Sequence, residues 1–235
     1  MLSQEAVVDA AVDITRDAGL SAVTMRAVAA RLDVTAMALY RHVGGREDLI
    51  RMVADRVGQY VRPSAPPGAS WEDSARCWAM AQRDVLRQYP GVAAWLISNG
   101  PAGPQAYRLL EELVAPLAGA GFDDATVARG AAAIMSWTFT RIAVEDSADV
   151  RLRHREPNRS EAFLNGLSAV DAGAHPSAAR VGREFFALPM ADLFETGLDW
   201  ILAGLLVRLP PTSPQGSPAG RRLAGRLAQG PPVRR

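Results

Sequence analysis

Residues 24–49 read TMRAVAARLDVTAMALYRHVGGREDL, and the rest of the chain is best read outward from them. Two short helical patterns are separated by a polar break, Asp33-Val34-Thr35. The second carries Tyr40, Arg41 and His42 on an otherwise small-residue surface. A helix so thin and so lightly decorated fits the major groove of DNA, where side chains reach base edges. Thr24 is placed to cap a helix from Met25 to Leu32, and Thr35 one from Ala36 to His42. Gly44-Gly45 then breaks the chain before a longer helix, Arg46 to Val61. Glu47 and Asp48 lie at the positive end of that helix's dipole.

Upstream, Ser3 caps a first helix that runs to Ala18. Val7, Ala10, Ala11, Ile14 and Ala18 fall on one face, and Gly19 ends it. Downstream, Arg62 to Ser70 (RPSAPPGAS) is rich in Pro and Gly and marks a linker. Helical spacing resumes over Trp71–Gln88, Val92–Ser98, Gln105–Ala118 and Asp123–Asp146. Pro116 is expected to kink or end the third of these. Ser147 to His175 is polar and glycine-containing and predicts a loop, with one short helix near Glu161 to Leu167. Two further helices follow, Pro176–Ala187 and Met190–Leu209. The Pro/Gly/Arg tail from Pro210 is expected to be disordered. No segment alternates with the period of two of a half-buried strand, so the expected class is all-α. The expected division is residues 1–62, a helix-turn-helix domain of three helices and a trailing fourth; 63–209, a second helical domain, to which the family resemblance given below assigns ligand binding and dimerisation; and 210–235, the tail.

Bulk properties narrow the possibilities. The 235 residues can bury a sizeable core, and no apolar run approaches the ~20 residues of a membrane span. The first residues lack the pattern of a secretory signal, and the single cysteine, Cys77, allows no internal disulfide. A cytoplasmic protein with no membrane contact is expected. The net charge is only +1, and every basic residue is arginine. Charge is unevenly placed, however: Arg26, Arg31, Arg41 and Arg46 are opposed within residues 24–46 only by Asp33. That local excess is an electrostatic footprint for nucleic acid that the global balance conceals.

The pattern T-M-R-x-V-A-x-R-L-x-V, then A-L-Y-R-H-V and E-x-L-I, resembles the helix-turn-helix of the tetracycline-repressor (TetR) family. The resemblance continues through Ser70-Trp71-Glu72-Asp73, Ala118-Gly119-Ala120-Gly121-Phe122, Val144-Glu145-Asp146 and Gly197 to Leu205, which look like the C-terminal domain of the tetracycline repressor's own subgroup. It implies a dimeric repressor on double-stranded DNA with an inverted-repeat operator, released by a small-molecule effector of unknown identity. Within the motif, Arg26 and Arg41 are candidates for base contacts and Ala36 or Met37 for a thymine methyl. Thr24, Tyr40, His42 and Arg46 are candidates for phosphates, with Thr35 at the turn. The competing reading makes Tyr40 a core aromatic and the arginines a solvated face. Ala27, Val28, Ala30, Leu32, Val34, Leu39 and Val43 are expected to glue the short helices together.

A head of this size contacts few base pairs, so a homodimer is expected. Its proposed surface is the pair 123–146 and 190–209, through Ala131, Ile134, Met135, Thr138, Ile142, Leu198, Ile201, Leu202, Leu205 and Leu206. The alternative is that these residues bury within one subunit. The resemblance also implies a pocket among the middle helices, for which Trp78, Gln82, Trp95, Asn99, Tyr107 and Trp137 are candidates: apolar walls with an amide or indole donor. The subgroup's magnesium–tetracycline complex is held through a histidine in the region corresponding to Ala93–Asn99. This chain has none there, so neither tetracycline nor a metal-bridged ligand is expected. Glu145 matches an acid near that metal, but Arg141 four residues earlier predicts an ordinary i,i+4 ion pair.

No catalytic residue, metal site or cofactor is expected. The histidines His42, His154 and His175 are too scattered for zinc, and Gly100 to Pro104 lacks the Lys-Ser/Thr of a phosphate loop. Cys77 reads as a core thiol. Two other classes stay open at this point: a helix-turn-helix regulator controlled by a protein or peptide partner, and a helical enzyme or carrier.

Overall fold

The Ser3 hydroxyl accepts the Ala6 N–H at 3.1 Å and starts α1 (Gln4–Ala18), which ends at Gly19 with φ at 84°. One 3₁₀ turn, Leu20–Ala22, leads to α2 (Met25–Arg31), capped by Thr24 through the Ala27 N–H at 3.0 Å. Asp33 turns the chain with φ at 53°, a conformation its short polar side chain tolerates. The α3 helix spans Ala36–Leu39, shorter than the expected Ala36–His42. The expected cap also fails, because the Thr35 side chain accepts no hydrogen bond there. The reason lies in Leu39: its carbonyl takes the N–H groups of both His42 (2.8 Å) and Val43 (3.1 Å), winding the chain into a tight turn. Buried Leu39 and Val43 then face the core of the head.

A computed structural model describes residues 2–100, 102–153, 166 and 171–209, and every α or 3₁₀ element among these is helical, with no strand. The head continues through α4 (Arg46–Tyr60), which packs on α1. Residues 61–70 are irregular. Ser70 then caps α5 (Trp71–Leu86) through the Asp73 N–H at 3.1 Å. There follow α6 (Val92–Asn99), α7 (Pro104–Gly119), α8 (Asp124–Arg153), α9 (Pro176–Ala187) and α10 (Met190–Leu206).

The long α8 runs through what the sequence predicts to be the start of a loop. Residues 147–153 (SADVRLR) mix charged and apolar residues and contain neither Gly nor Pro, and charge alone does not stop a helix. Asp149 is also held from outside by Arg87 at 2.6 Å. Pro116 neither ends nor breaks α7, which runs on to Gly119: it forgoes only its own bond to the preceding turn, and its carbonyl still accepts the Ala120 N–H at 3.1 Å. The predicted short helix near Glu161–Leu167 and the predicted disordered tail lie outside the described residues, apart from Gly166.

Two apolar clusters organise the packing. One joins α1, α2, α3 and α4 and runs on into Leu86, Val92, Ala93 and Ile142, so the head rests on α5, α6 and α8 without an apolar gap. The other gathers Trp71, Trp78, Leu113, Leu117, Phe122, Ile134, Phe194, Leu198 and Leu202. These assignments correct the expected dimer face. Ala131, Ile134, Thr138, Ile142, Leu198 and Leu202 are all buried within the subunit, because the inward stripe of α8 meets α5, α6 and α7 and that of α10 packs on α8. Met135, Ile201, Leu205 and Leu206 are only partly covered. Outward, the same helices present Ala133, Gly204 and a Trp200 that is 66% exposed, with Val207 exposed just past the end of α10.

Candidate functional site

The candidate DNA-contact residues sit on α2, α3, the turns beside them and the first residue of α4. Leu39 and Val43 anchor this surface from below, which leaves Met37 75% exposed and Tyr40 52% exposed. The reading of Tyr40 as a core aromatic therefore fails. Arg26 and Arg41 are exposed, and neither forms an ion pair or hydrogen bond among the described residues. Arg31 differs, lying 3.1 Å from Asp17 and 3.7 Å from Asp13. Arg46 gives its Nε–H to the Val23 carbonyl at 2.8 Å, pinning the start of α4 to the segment before α2. Ala36 is half-buried against the core rather than fully presented, while His42 is half-buried and its carbonyl accepts from Gln4 Nε2 at 3.0 Å. Asp48 accepts the Gly44 N–H at 3.0 Å and Arg51 Nη2 at 2.7 Å, and these bonds hold its carboxyl below the ordinary carboxylate value.

The opposite half of the molecule contains a cavity of about 520 Å³ between α4, α5, α6, α7 and α8. Three of the six pocket candidates meet there: Trp78, Gln82 and Tyr107. The Trp78 indole gives its N–H to the Leu109 carbonyl at 2.7 Å and so presents only ring to the cavity. Tyr107 stands at the mouth, 69% exposed. Trp95 and Asn99 line a different cavity, of about 530 Å³, between the head and α6 and α8. The Asn99 amide is directed back to the Trp95 carbonyl at 2.9 Å. Trp137 lines neither: its indole N–H meets the Phe194 carbonyl at 3.0 Å across the α8–α10 seam.

The first cavity also has walls that sequence reasoning missed. Ala54, Asp55 and Gly58 of α4 line it, with Gln105, Met135 and Phe139. Asp55 Oδ1 accepts the Gln105 N–H at 2.9 Å, so a carboxylate of α4 caps α7, whose own N-cap is Gly103. The one available signal was Gly103-Pro104, a helix start without a side-chain cap. Reciprocally, Arg108 of α7 donates to the carbonyls of Gly58 (2.8 Å) and Val61 (3.1 Å) at the end of α4. The cavity wall and the support of the head are thus the same helix, whose C-terminal half is held to the first turns of α7.

A second bridge reaches the head from α8. Buried Asp146 accepts Arg87 Nη1 at 2.7 Å and the Gly91 N–H at 3.1 Å, and beside it the Pro90 carbonyl accepts the Leu20 N–H at 2.8 Å. Burial pushes the Asp146 carboxyl above its ordinary value, against the pull of these donors. Glu145 pairs with Arg83 (3.0 Å) and Arg87 (3.2 Å), not with Arg141 as the i,i+4 spacing predicts. Arg141 instead lies 5.8 Å from the Trp137 ring centroid. Among the described residues no group of three His, Cys, Asp or Glu side chains is arranged to hold a metal ion.

A three-helix head with a short, exposed second reading helix, joined by a fourth helix to a hollow helical domain, defines a helix-turn-helix regulatory architecture. A family described as "Bacterial regulatory proteins, tetR family" matches residues 7–53, and one described as "Tetracyclin repressor-like, C-terminal domain" matches residues 62–209. The chain belongs to the TetR family. An HTH-type transcriptional regulator of Saccharopolyspora erythraea is 33% identical over 145 residues, covering 62% of this chain and 61% of that relative. The HTH-type transcriptional repressor DrrR1 of Streptomyces coeruleorubidus is 27% identical over 220 residues, with 88% and 78% covered. Among solved structures, the TetR family protein ActR of Streptomyces coelicolor in complex with (S)-DNPA superposes with a TM-score of 0.78 at 25% identity, covering 88% of this chain and 98% of that one. No helix among the described residues is long and apolar enough to cross a membrane.

Proposed function

We propose that this chain is a dimeric transcriptional repressor that leaves an inverted-repeat operator when a small molecule fills the cavity beneath α4. The observation that carries the reading is the double role of α4: Ala54, Asp55 and Gly58 wall the cavity, while Ile50, Val53 and Val57 belong to the core that holds the head. A molecule that enlarges the cavity pushes on the helix that sets where the reading surface points. Coupling of this kind is typically worth about 1–3 kcal/mol, enough to release DNA from a fraction of operators at ordinary effector levels. The binding of (S)-DNPA by ActR supports a small-molecule effector over a protein partner, and the repressor DrrR1 supports repression.

At the head, Arg41 and Arg26 read base edges, each able to give a guanine two hydrogen bonds, while Met37 or Ala36 meets a thymine methyl. Thr24, Thr35, Tyr40, His42 and Arg46 face the phosphates and set register. Dimerisation uses the outward faces of α8 and α10, where exposed Trp200, Gly204 and Val207 leave a small, apolar stripe beside Ala133. The protein acts in the cytoplasm, where its DNA lies, and carries no catalytic role.

Footprinting on the DNA upstream of the chain's own gene tests this reading. A protected inverted repeat is the expected result. Protection of a single half-site, or of none, would remove the local-repressor reading.

A further inference from the structure

The cavity under α4 is lined by one buried polar side chain with nothing to bind. Gln82 is 2% exposed, it lines the cavity, and its side-chain amide makes no hydrogen bond among the described residues. A buried primary amide without partners is costly, and native proteins keep such groups where something else completes them. The other inner polar groups are engaged: the Trp78 indole N–H with Leu109, and Asp55 Oδ1 with Gln105.

Charge narrows the occupant further. The lining contains no Arg, Lys or His, and its one carboxylate is Asp55. An anionic ligand would leave its hydration for a site with no cation and one like charge. Beyond Gln105, Ser136 and Thr140 the remaining walls are aliphatic or aromatic, Leu109, Phe139 and Trp78 among them, and about 520 Å³ suits a molecule of several rings.

We propose that the effector is an uncharged, largely apolar ring compound whose amide-like or hydroxy-carbonyl edge pairs with the Gln82 side chain. This rests on the reading of the cavity as the effector site. The donor and acceptor of a primary amide accept a matching edge in a paired, two-bond arrangement, whereas a hydrocarbon leaves both unmet and a carboxylate meets only the donor.

Three probes of one shape separate these cases: 2-naphthamide, 2-naphthoate and naphthalene, titrated calorimetrically into the full chain. The amide is expected to bind roughly tenfold or more tightly than either of the others. In Gln82→Met, which keeps the length but removes both polar atoms, the preference of amide over naphthalene disappears. That variant is also expected to melt at or above the wild-type temperature, because an unpaired buried amide is gone; Gln82→Leu gives a second test should Met fail to fold. Equal or tighter binding of 2-naphthoate overturns the proposal. So does an amide preference that survives both substitutions, or the absence of binding by all three probes. A gel shift on the footprinted operator reads the underlying function separately. If the amide binds through Gln82 but does not release DNA, the ligand class stands and the effector reading falls.

Discussion

A β-carbon built on Gly197 would lie 2.0 Å from Cζ2 of Trp137, so α10 crosses α8 at a distance only glycine permits there. The Trp137 indole is fixed in that position by its bond to the Phe194 carbonyl at 3.0 Å. Helix propensity alone would make Gly197→Ala stabilising by about 1 kcal/mol. The contact is with the body of a ring that cannot swing away without losing its bond, and overpacking of this kind costs about 1–3 kcal/mol. The clash wins. Gly197→Ala should lower the melting temperature by about 2–8 °C, and Trp137→Leu in the same chain should restore part of the loss. An unchanged melting temperature would show that the seam yields.

The same pair shows what the sequence could and could not reveal. Ser3, Thr24, Gly19 and Ser70 mark helix ends through local chemistry, and the structure places ends beside each of them. Arg41 and Tyr40 stand out because a short helix has few positions to choose from. Trp137 is indistinguishable from a pocket residue in the sequence because spacing tells which face of a helix is apolar, not which neighbour covers it. Asp55 was invisible for a related reason. Its role is to cap a helix 50 residues away, and no periodicity carries that. Six of the ten residues expected at a dimer face turn out to be buried within the subunit for the same reason: an apolar stripe on α8 satisfies a partner subunit or α5 and α7 equally well, and only packing decides.

The Asp55 cap makes its own prediction. Removing a side-chain cap from a helix start costs typically about 1 kcal/mol. Asp55→Ala should therefore lower the melting temperature by about 2–4 °C, with a smaller fall for Asp55→Asn, which keeps an acceptor for the Gln105 N–H. Because the bond joins the cavity wall to the support of the head, Asp55→Ala should also shift the effector concentration needed to release DNA. A variant with wild-type stability and wild-type response would show the bond to be incidental.

Asp48 predicts a pH dependence whose sign follows from its two donors. The Gly44 N–H first, then Arg51, hold the folded carboxyl below 3.8, so the unfolded chain takes up the proton more readily. The stabilisation is complete above that value and is lost as the pH falls through the lowered folded value. Asp146 works in the other direction, since burial raises its carboxyl and favours the fold at low pH. Comparing wild type with Asp48→Asn in denaturant titrations from pH 6 down to about pH 3 isolates the first effect. The two proteins should converge in acid; a gap that stays constant across the range would deny the linkage.

Trp200 tests the outward face of α10. It is 66% exposed in the single subunit, and a large aromatic at the centre of an interface commonly accounts for 2 kcal/mol or more of binding. In the proposed symmetric dimer this residue would occur once on each side of the interface, so one substitution acts twice. Trp200→Asp should therefore weaken association by about a hundredfold or more, read by light scattering or sedimentation across micromolar dilutions. The folded helix content should hold, because the residue lies outside the subunit's own core. A variant that remains dimeric would move the interface elsewhere.

Arg41 separates reading from mere attraction. It is exposed on the turn that follows α3, without a partner among the described residues, whereas Arg31 nearby is tied to Asp17 and Asp13. A guanidinium that pairs with a guanine edge contributes about 1–3 kcal/mol of discrimination, while one that meets only phosphate contributes equally on every sequence. Arg41→Ala should then weaken binding to the protected operator by roughly tenfold or more and leave binding to random duplex little changed. Tyr40→Phe, placed against the backbone, should weaken both in proportion. The salt dependence gives an independent check, because a lost phosphate contact flattens the slope of affinity against salt by about one unit and a lost base contact does not. If Arg41→Ala lowers affinity equally on operator and random duplex and flattens that slope, Arg41 holds the backbone, and Arg26 is left as the base-reading arginine of the head.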